Sequence, residues 1–422
     1  MTRSAAAPGR IPGSRFAPLI GALAALVVTA VVIVAIRAGG GGGPADGDEN
    51  AEMGAVTVEA IPDSVRDEIP NTWSQPRNDP SGTGVWGPDV GSPMDTLWRI
   101  HTGMEFFAAP ALCGGTLYFG GNDGVFMAVS AADGSRLWAF GTSCGLNGEA
   151  AVSDSAVFFC GQDGYVYSLD RASGSLRWKA GLGYHIFASV GLLCDTILVT
   201  GNSEGSIAAL SAASGDLLWS ASPGGVILGP ALADTIAVFT SEDGIACAYG
   251  AGGNELWRRD FSAQASAPSI GGSSVYIGFS DGVVRRIDLA SGTVVWETDL
   301  VQQPVRTVIS RPVLSGGRVF AGTCDSRVVC LSEEDGSLQW DTPLENWVQL
   351  PPAVGAASLY VCSDDQRFHV LDVETGEIRF SIEMGGYSGT APILANGTVY
   401  FGTASGDFFA FRGTLADDGE EP

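Results

Sequence analysis

The sequence repeats itself. The stretches "AVSAADGSRLW" (128–138), "SLDRASGSLRW" (168–178), "ALSAASGDLLW" (209–219), "RIDLASGTVVW" (286–296) and "CLSEEDGSLQW" (330–340) share one frame. "AYGAGGNELW" (248–257) is one residue shorter, and "VLDVETGEIRF" (370–380) puts Phe380 in the Trp slot. Together with the Trp of "DTLWRIHTG", the anchors are Trp98, Trp138, Trp178, Trp219, Trp257, Trp296, Trp340 and Phe380, which are 38 to 44 positions apart. A period this long and regular restricts the chain to a repeat architecture, in which each unit buries its apolar face against its neighbours.

Each unit carries four strand-like runs. In the first they are "FFAAPALC", "TLYFGG", "VFMAVSA" and "SRLWAFG", joined by "GG", "NDG" and "ADG". Such turns supply the positive φ that tight hairpins require. A four-stranded antiparallel unit of about 40 residues is a propeller blade. Its fixed aromatic is expected to pack between neighbouring blades, each burial contributing about 2–3 kcal/mol. The last unit, 389–413, supplies only three strands, and the segment around Trp98 supplies one orphan outer strand. Joined, they complete an eighth blade and remove two exposed edges. The expected fold is all-β: an eight-bladed β-propeller of four-stranded antiparallel blades spanning 93–413.

Outside the repeats the composition changes. Residues 17–36, "APLIGALAALVVTAVVIVAI", are apolar and uncharged, and Arg3, Arg10 and Arg15 precede them. Twenty such residues span roughly 30 Å as a helix, the thickness of a bilayer's hydrocarbon core. No A-x-A cleavage site comes after it, so the segment reads as a transmembrane signal anchor with residues 1–16 in the cytoplasm. Residues 37–92 read as a flexible acidic linker leading into the propeller, and 414–422 as an acidic tail. The propeller is thereby expected in the periplasm or extracellular space, tethered to the inner membrane. A net charge of −25 disfavours nucleic acid as a partner. The eight cysteines form no C-x-x-C and no adjacent pair; their even number permits disulfides, with no connectivity legible. Runs such as "VFFCG" and "RVVCL" favour buried thiols.

The frame A-x-D-x-x-S/T-G-x-x-x-W resembles the tryptophan-docking motif of the quinoprotein (PQQ-like) repeat superfamily. Asp170, Asp288 and Asp372 hold the Asp slot, while Ser211 and Ser332 replace it elsewhere. "TWSQPRNDPSGTGV" (72–85) is similar to the segment that leads into such propellers. The resemblance covers roughly 72–413 and implies the propeller fold. It also implies one of two functions: a PQQ-dependent dehydrogenase, or a non-catalytic propeller such as the BamB-like assembly factors. The dehydrogenases typically carry long insertions, a vicinal disulfide and a Glu/Asn/Asp set that holds calcium beside the quinone. Here the blades are minimal, no cysteines are adjacent and no such acid set can be placed. The BamB-like proteins are usually lipoproteins, whereas no cysteine stands near the end of this apolar segment.

The repeat also decides how single candidates read. "GNSEG" (201–205) matches the G-x-S-x-G of a nucleophile elbow, which requires a strand, a strained turn and a helix. It aligns instead with "GGNDG", "CGQDG", "TSEDG" and "GFSDG", turns between a second and a third strand. Asp123, Asp163, Asp243 and Asp281 of these turns read as turn chemistry rather than calcium ligands, because each turn offers only one or two oxygens. His101, His185 and His369 lack metal-ligand spacing. The connections from outer to next inner strand vary most, and recognition concentrates in such loops. They and the adjoining inner strands place Glu149, His185, Arg306, Arg311, Trp347, Gln349 and Tyr387 at a rim or funnel suited to a small polar ligand or a peptide. The expectation is a binding module, not an enzyme, with no catalytic, cofactor or metal residue assigned; PQQ and calcium belong to the alternative oxidoreductase reading. A third reading is an extracellular sensor of a small molecule or a wall polymer. The expected partner is an envelope protein or exposed peptide, with the membrane engaged through the apolar helix.

Overall fold

The computed structural model describes residues 57–58, 89–90, 94–194, 196–300 and 309–413. Segments 1–16, 17–36 and 414–422, and most of 37–92, lie outside them. Among the described residues no helix is long and apolar enough to cross a membrane.

The described chain folds into eight antiparallel sheets that succeed one another in sequence. Blade 1 comprises Ala111–Cys113, Thr116–Gly120, Val125–Ser130 and Arg136–Gly141, from inner to outer strand. Its inner strand is shorter than the run "FFAAPALC" suggests. Pro110 stands just before it, and a proline has no N–H to give to the ladder. The middle strands are buried on both faces, which explains their unbroken apolar runs, whereas outer strands alternate between exposed and half-buried positions. Inner strands of neighbouring blades contact one another between blades 1 and 2 and from blade 3 through blade 7.

The eighth blade closes as the sequence requires. Asp407–Gly413, the third strand of the last unit, pairs with Met94–His101, which serves as its outer strand. One feature departs from the four-stranded expectation: Thr57–Val58 adds a fifth strand to the outer edge, with Thr57 opposite His101 and Val58 opposite Ile100. The unpaired N–H and C=O groups of an outer edge accept such a segment readily.

A β-bulge precedes the anchor aromatic in every blade, as between Ala128 and Val129 opposite Trp138 and Arg136. The extra residue bends the strand and re-aims the aromatic side chain just beyond it. Each indole thereby donates its Nε1–H to a main-chain carbonyl of the next blade. Trp98 reaches Ala131, Trp138 reaches Arg171, Trp178 reaches Ala212, Trp219 reaches Ala251, Trp257 reaches Leu289, Trp296 reaches Glu333 and Trp340 reaches Val373, at 2.7–3.3 Å. All seven acceptors open the turn between third and outer strands. The glycine of that turn lies beneath the indole: a Cβ on Gly134, Gly174, Gly215, Gly253, Gly292, Gly336 or Gly376 would stand 2.5–3.0 Å from the ring. These glycines also have φ of +68° to +84°, so both backbone and packing exclude a side chain there.

Phe380 has no such turn to meet. In blade 8 the third strand ends at Gly413 and the outer strand comes from residues 94–101, so no third-to-outer turn exists. An indole N–H would lack that carbonyl; Phe380 packs instead against an apolar cluster that includes Val90. The segment before Met94 fills the vacant place. The Tyr360 hydroxyl accepts from Val90 N–H at 2.8 Å and donates to its carbonyl at 3.0 Å. The Asp89 carboxylate accepts from the N–H groups of Ala357 and Ser358 at 3.0–3.1 Å. In the next blade Tyr400 makes the corresponding bond, to the turn carbonyl of Ala131 at 3.3 Å. Residues 89–90 therefore form a strap that replaces the missing turn.

Six of the cysteines, Cys113, Cys144, Cys160, Cys194, Cys247 and Cys330, are thiols. Burial pushes Cys160, Cys247 and Cys330 up to about 12, leaving them protonated and inert.

Candidate functional site

One face of the ring carries the turns between second and third strands, the other those between third and outer strands. On the first face "GNSEG" joins Ile197–Gly201 to Ile207–Ser211. Gly205 has φ +80° and donates its N–H to Asn202 at 3.3 Å; a strand, not a helix, comes next. The string is a hairpin turn. In blades 6 and 7 the same left-handed position is occupied by Ser326 and Gln366, both at φ +67°. The turn acids serve the turns themselves: Asp123, Asp163, Asp281 and Asp365 accept from the N–H two residues on, at 2.9–3.3 Å.

The connections entering each blade lie on the same face, and one hydrogen bond fixes them. The N–H in the middle of a turn donates to the connection entering its own blade. Asn122 bonds to Glu105, Gln162 to Gly145, Ser203 to His185, Glu242 to Val226, Ser280 to Gln264, Asp364 to Trp347 and Ala404 to Tyr387, at 2.8–3.1 Å. His185, Trp347 and Tyr387 therefore hold equivalent positions, one per blade, and Tyr387 is 57% exposed. Arg306 lies outside the described residues.

Around blades 7 and 8 the candidates converge. Gln349 donates to Asp364 Oδ2 at 2.5 Å, and Ser388, beside Tyr387, donates to Asp364 Oδ1 at 2.7 Å. Deeper in the ring, Glu149 and Arg311 each stand two residues before an inner strand, in blades 2 and 6. Four blades separate them in a ring of eight, which puts the two positions in opposite blades. Arg311 is buried and its Nε donates to Ser269 Oγ at 3.1 Å; the Glu149 N–H donates to Ser189 Oγ at 3.1 Å. The six described candidates are spread over blades 2, 3, 6, 7 and 8.

His369 lies between an acid and a serine: Nε2 is 2.8 Å from Asp365 Oδ2, and Nδ1 is 2.7 Å from Ser381 Oγ. The arrangement matches the composition of a hydrolase triad, but the repeat shows another role. A third-strand residue four positions after the turn acid bonds to that acid in three blades: Tyr167 to Asp163 at 2.6 Å, Arg285 to Asp281 at 3.0 Å, and His369 to Asp365. Burial pushes the Asp365 carboxyl up, but the hydrogen bond and charge of His369 outweigh it and hold the group below its usual range. In the closing blade Asp407 receives Arg99 and His101, each at 2.9 Å. Its carboxyl is likewise lowered by these partners against the opposing effect of burial. Neither Asp407 nor the Asp89 strap is marked in the sequence, because both depend on which segments closure brings together.

A ring of eight four-stranded blades, docked through tryptophan and closed by its two ends, defines the quinoprotein-type propeller class. A family profile described as outer membrane protein assembly factor BamB matches residues 93–186, 203–312 and 280–420, and the chain belongs to that family. No curated protein sequence matches it significantly. Among solved structures, BamB from Moraxella catarrhalis is 17% identical, with a TM-score of 0.65 over 78% of this chain and 100% of that one. A quinohemoprotein alcohol dehydrogenase from Pseudomonas putida HK5 is 13% identical, with a TM-score of 0.71 over 84% and 82%. The computationally designed Ika8 protein is 20% identical, with a TM-score of 0.65 over 74% and 97%. At these identities the likeness is one of fold.

Proposed function

We propose that the protein is a non-catalytic propeller that binds another protein of the cell envelope through its rim, held at the membrane by residues 17–36. The observation that carries this reading is the repeated loop-to-turn hydrogen bond. It fixes one connection residue per blade on a rigid ring, and Glu105, His185, Gln264, Trp347 and Tyr387 present five different side-chain chemistries there. A rigid scaffold that varies only in its loops suits recognition. The family's description as an assembly factor supports the same reading.

The quinoprotein alternative calls for a quinone and calcium near the axis. Calcium takes six to eight oxygen ligands. The residues two before the inner strands include Ala109, Glu149, Ser189, Ala267, Arg311, Pro351 and Ala391, which offer one carboxylate and one hydroxyl. That hydroxyl already accepts the Glu149 N–H. The donor set does not fit the ion.

The test is cross-linking of the full-length protein in its own membrane, with mass spectrometry of the products. One dominant partner cross-linked to rim residues is expected. Reproducible dye-linked alcohol oxidation on adding PQQ and calcium, with no cross-linked partner, would overturn the reading.

A further inference from the structure

We propose that the half of the rim formed by blades 1–4 docks an extended segment of the partner protein rich in lysine or arginine. This deepens the binding reading above and rests on it. The evidence begins with an asymmetry of charge. In blades 5–8 four acids on this face have basic partners: Asp281 with Arg285 at 3.0 Å, Asp325 with Arg327 at 2.7 Å, Asp365 with His369 at 2.8 Å, and Asp407 with Arg99 and His101 at 2.9 Å, while Asp364 is held by the neutral Gln349 and Ser388. In blades 1–4 the corresponding Asp123, Asp163, Glu204, Glu242 and Asp243 make no ion pair among the described residues. Asp163 is bonded by neutral donors, the Tyr165 N–H at 3.3 Å, Ser143 Oγ at 3.0 Å and the Tyr167 hydroxyl at 2.6 Å, none of which carries a charge. The nearby cations are directed elsewhere: Lys179 Nζ lies 4.8 Å from the Tyr165 ring centroid, and Arg258 donates to the Pro223 carbonyl at 2.5 Å.

Main-chain hydrogen bonds join the turns of blades 3 and 4 that carry these acids to the connections beside them. Ser203 N–H bonds to His185, Gly224 N–H to Gly205, and Glu242 N–H to Val226, linking blades 2, 3 and 4 on this face. Burial raises the Asp123 and Glu242 carboxyls above their usual range, the latter helped by Asp243. A cation arriving at these groups would relieve that cost. Apolar contact is available beside them, with Tyr184 54% and Tyr165 36% exposed.

A second, independent feature marks the same place. Gln162, in the blade 2 turn, is 7% exposed, and its Nε2 has no hydrogen-bond partner among the described residues; the Oδ1 of Asn147, in the adjoining connection, has none among them either. Buried polar groups are rarely left so. Turned outward, these two side chains would offer one donor and one acceptor to the C=O and N–H of a peptide backbone, and the acids around them match its basic side chains. Charge complementarity of this kind selects the partner and speeds its encounter.

The test uses full-length protein in detergent and a labelled peptide of about 12 residues alternating lysine and serine, with a glutamate-for-lysine version as control. The lysine peptide is expected to bind and the glutamate peptide not to. The combined Asp163→Asn, Glu204→Gln, Glu242→Gln and Asp243→Asn variant should weaken binding about tenfold or more. Removing the same number of charges by Glu334→Gln, Glu345→Gln, Glu377→Gln and Glu383→Gln should leave it within about twofold. Equal weakening by both variants, or by neither, overturns the proposal. Cross-linking in the membrane separates the two levels. If wild type and the blade 2–4 variant retain the same partner equally, this docking site falls while the binding reading stands. If neither retains one, the binding reading falls too.

Discussion

At the scale of single residues, the glycine beneath each indole is the most constrained position in the molecule. Gly174 has φ +71°, and a Cβ there would stand 2.6 Å from Trp138. Gly174→Ala combines left-handed backbone strain with overpacking, and is expected to cost roughly 2–4 kcal/mol. Gly141→Ala, where a Cβ meets nothing within 4 Å, should shift stability by less than about 0.5 kcal/mol. Urea denaturation of both variants checks the contrast. The glycines themselves are legible in the repeat, but which ring each one faces is not, because the ring belongs to the preceding blade. Likewise His369 is visible as a lone histidine, and only the folded blade puts Asp365 and Ser381 on its two nitrogens.

At the scale of elements, the outer strand and the turn before it act as one docking unit. Trp178→Phe removes the donor to Ala212 and some ring area, and should cost about 1–3 kcal/mol. Phe380→Trp should gain nothing, since blade 8 has no turn carbonyl to receive the N–H. Equal and opposite shifts in the two denaturation midpoints would contradict this expectation. The same turns carry an acid dependence. Asp372 is held down at about 2, first by the Arg379 hydrogen bond at 2.6 Å and then by the Thr375 N–H. A carboxyl lowered in the folded state contributes stability above its unfolded pKa, near 4, and loses it as pH falls toward about 2. Wild type should therefore exceed Asp372→Asn in stability at pH 6, with the gap narrowing at pH 3; the charge is solvent-screened, so the difference is small.

At the scale of the whole molecule, stability depends on joining the two ends. The outer strand of blade 8 stands about 310 residues from its partner in sequence, and it brings fully buried Trp98 with it. A chain beginning at Thr102 is expected to lose its single cooperative unfolding transition and to bind an apolar dye, because the edge of Asp407–Gly413 and the blade 1 turn that receives Trp98 are then uncovered. Tyr360→Phe cuts both bonds to Val90 and should cost about 1–3 kcal/mol without opening the ring. An unchanged transition in the truncated chain would show that closure contributes little.

The blade, the blade count and the manner of closure are all written in the sequence, because each comes from local periodicity: strand alternation, turn glycines and an aromatic every 40 or so residues. The same periodicity reduces "GNSEG" to a turn, since a repeated string cannot be a unique nucleophile. Folding was needed to show why Phe380 is not tryptophan and that residues 89–90 strap the closing blade. It was needed, too, to show that Asp281, Asp325 and Asp365 meet basic side chains while Asp123, Asp163 and Asp243 meet none among the described residues. Each of these depends on contacts between blades or across the closure. Such partners lie tens to hundreds of residues apart, and no local pattern records which of them meet.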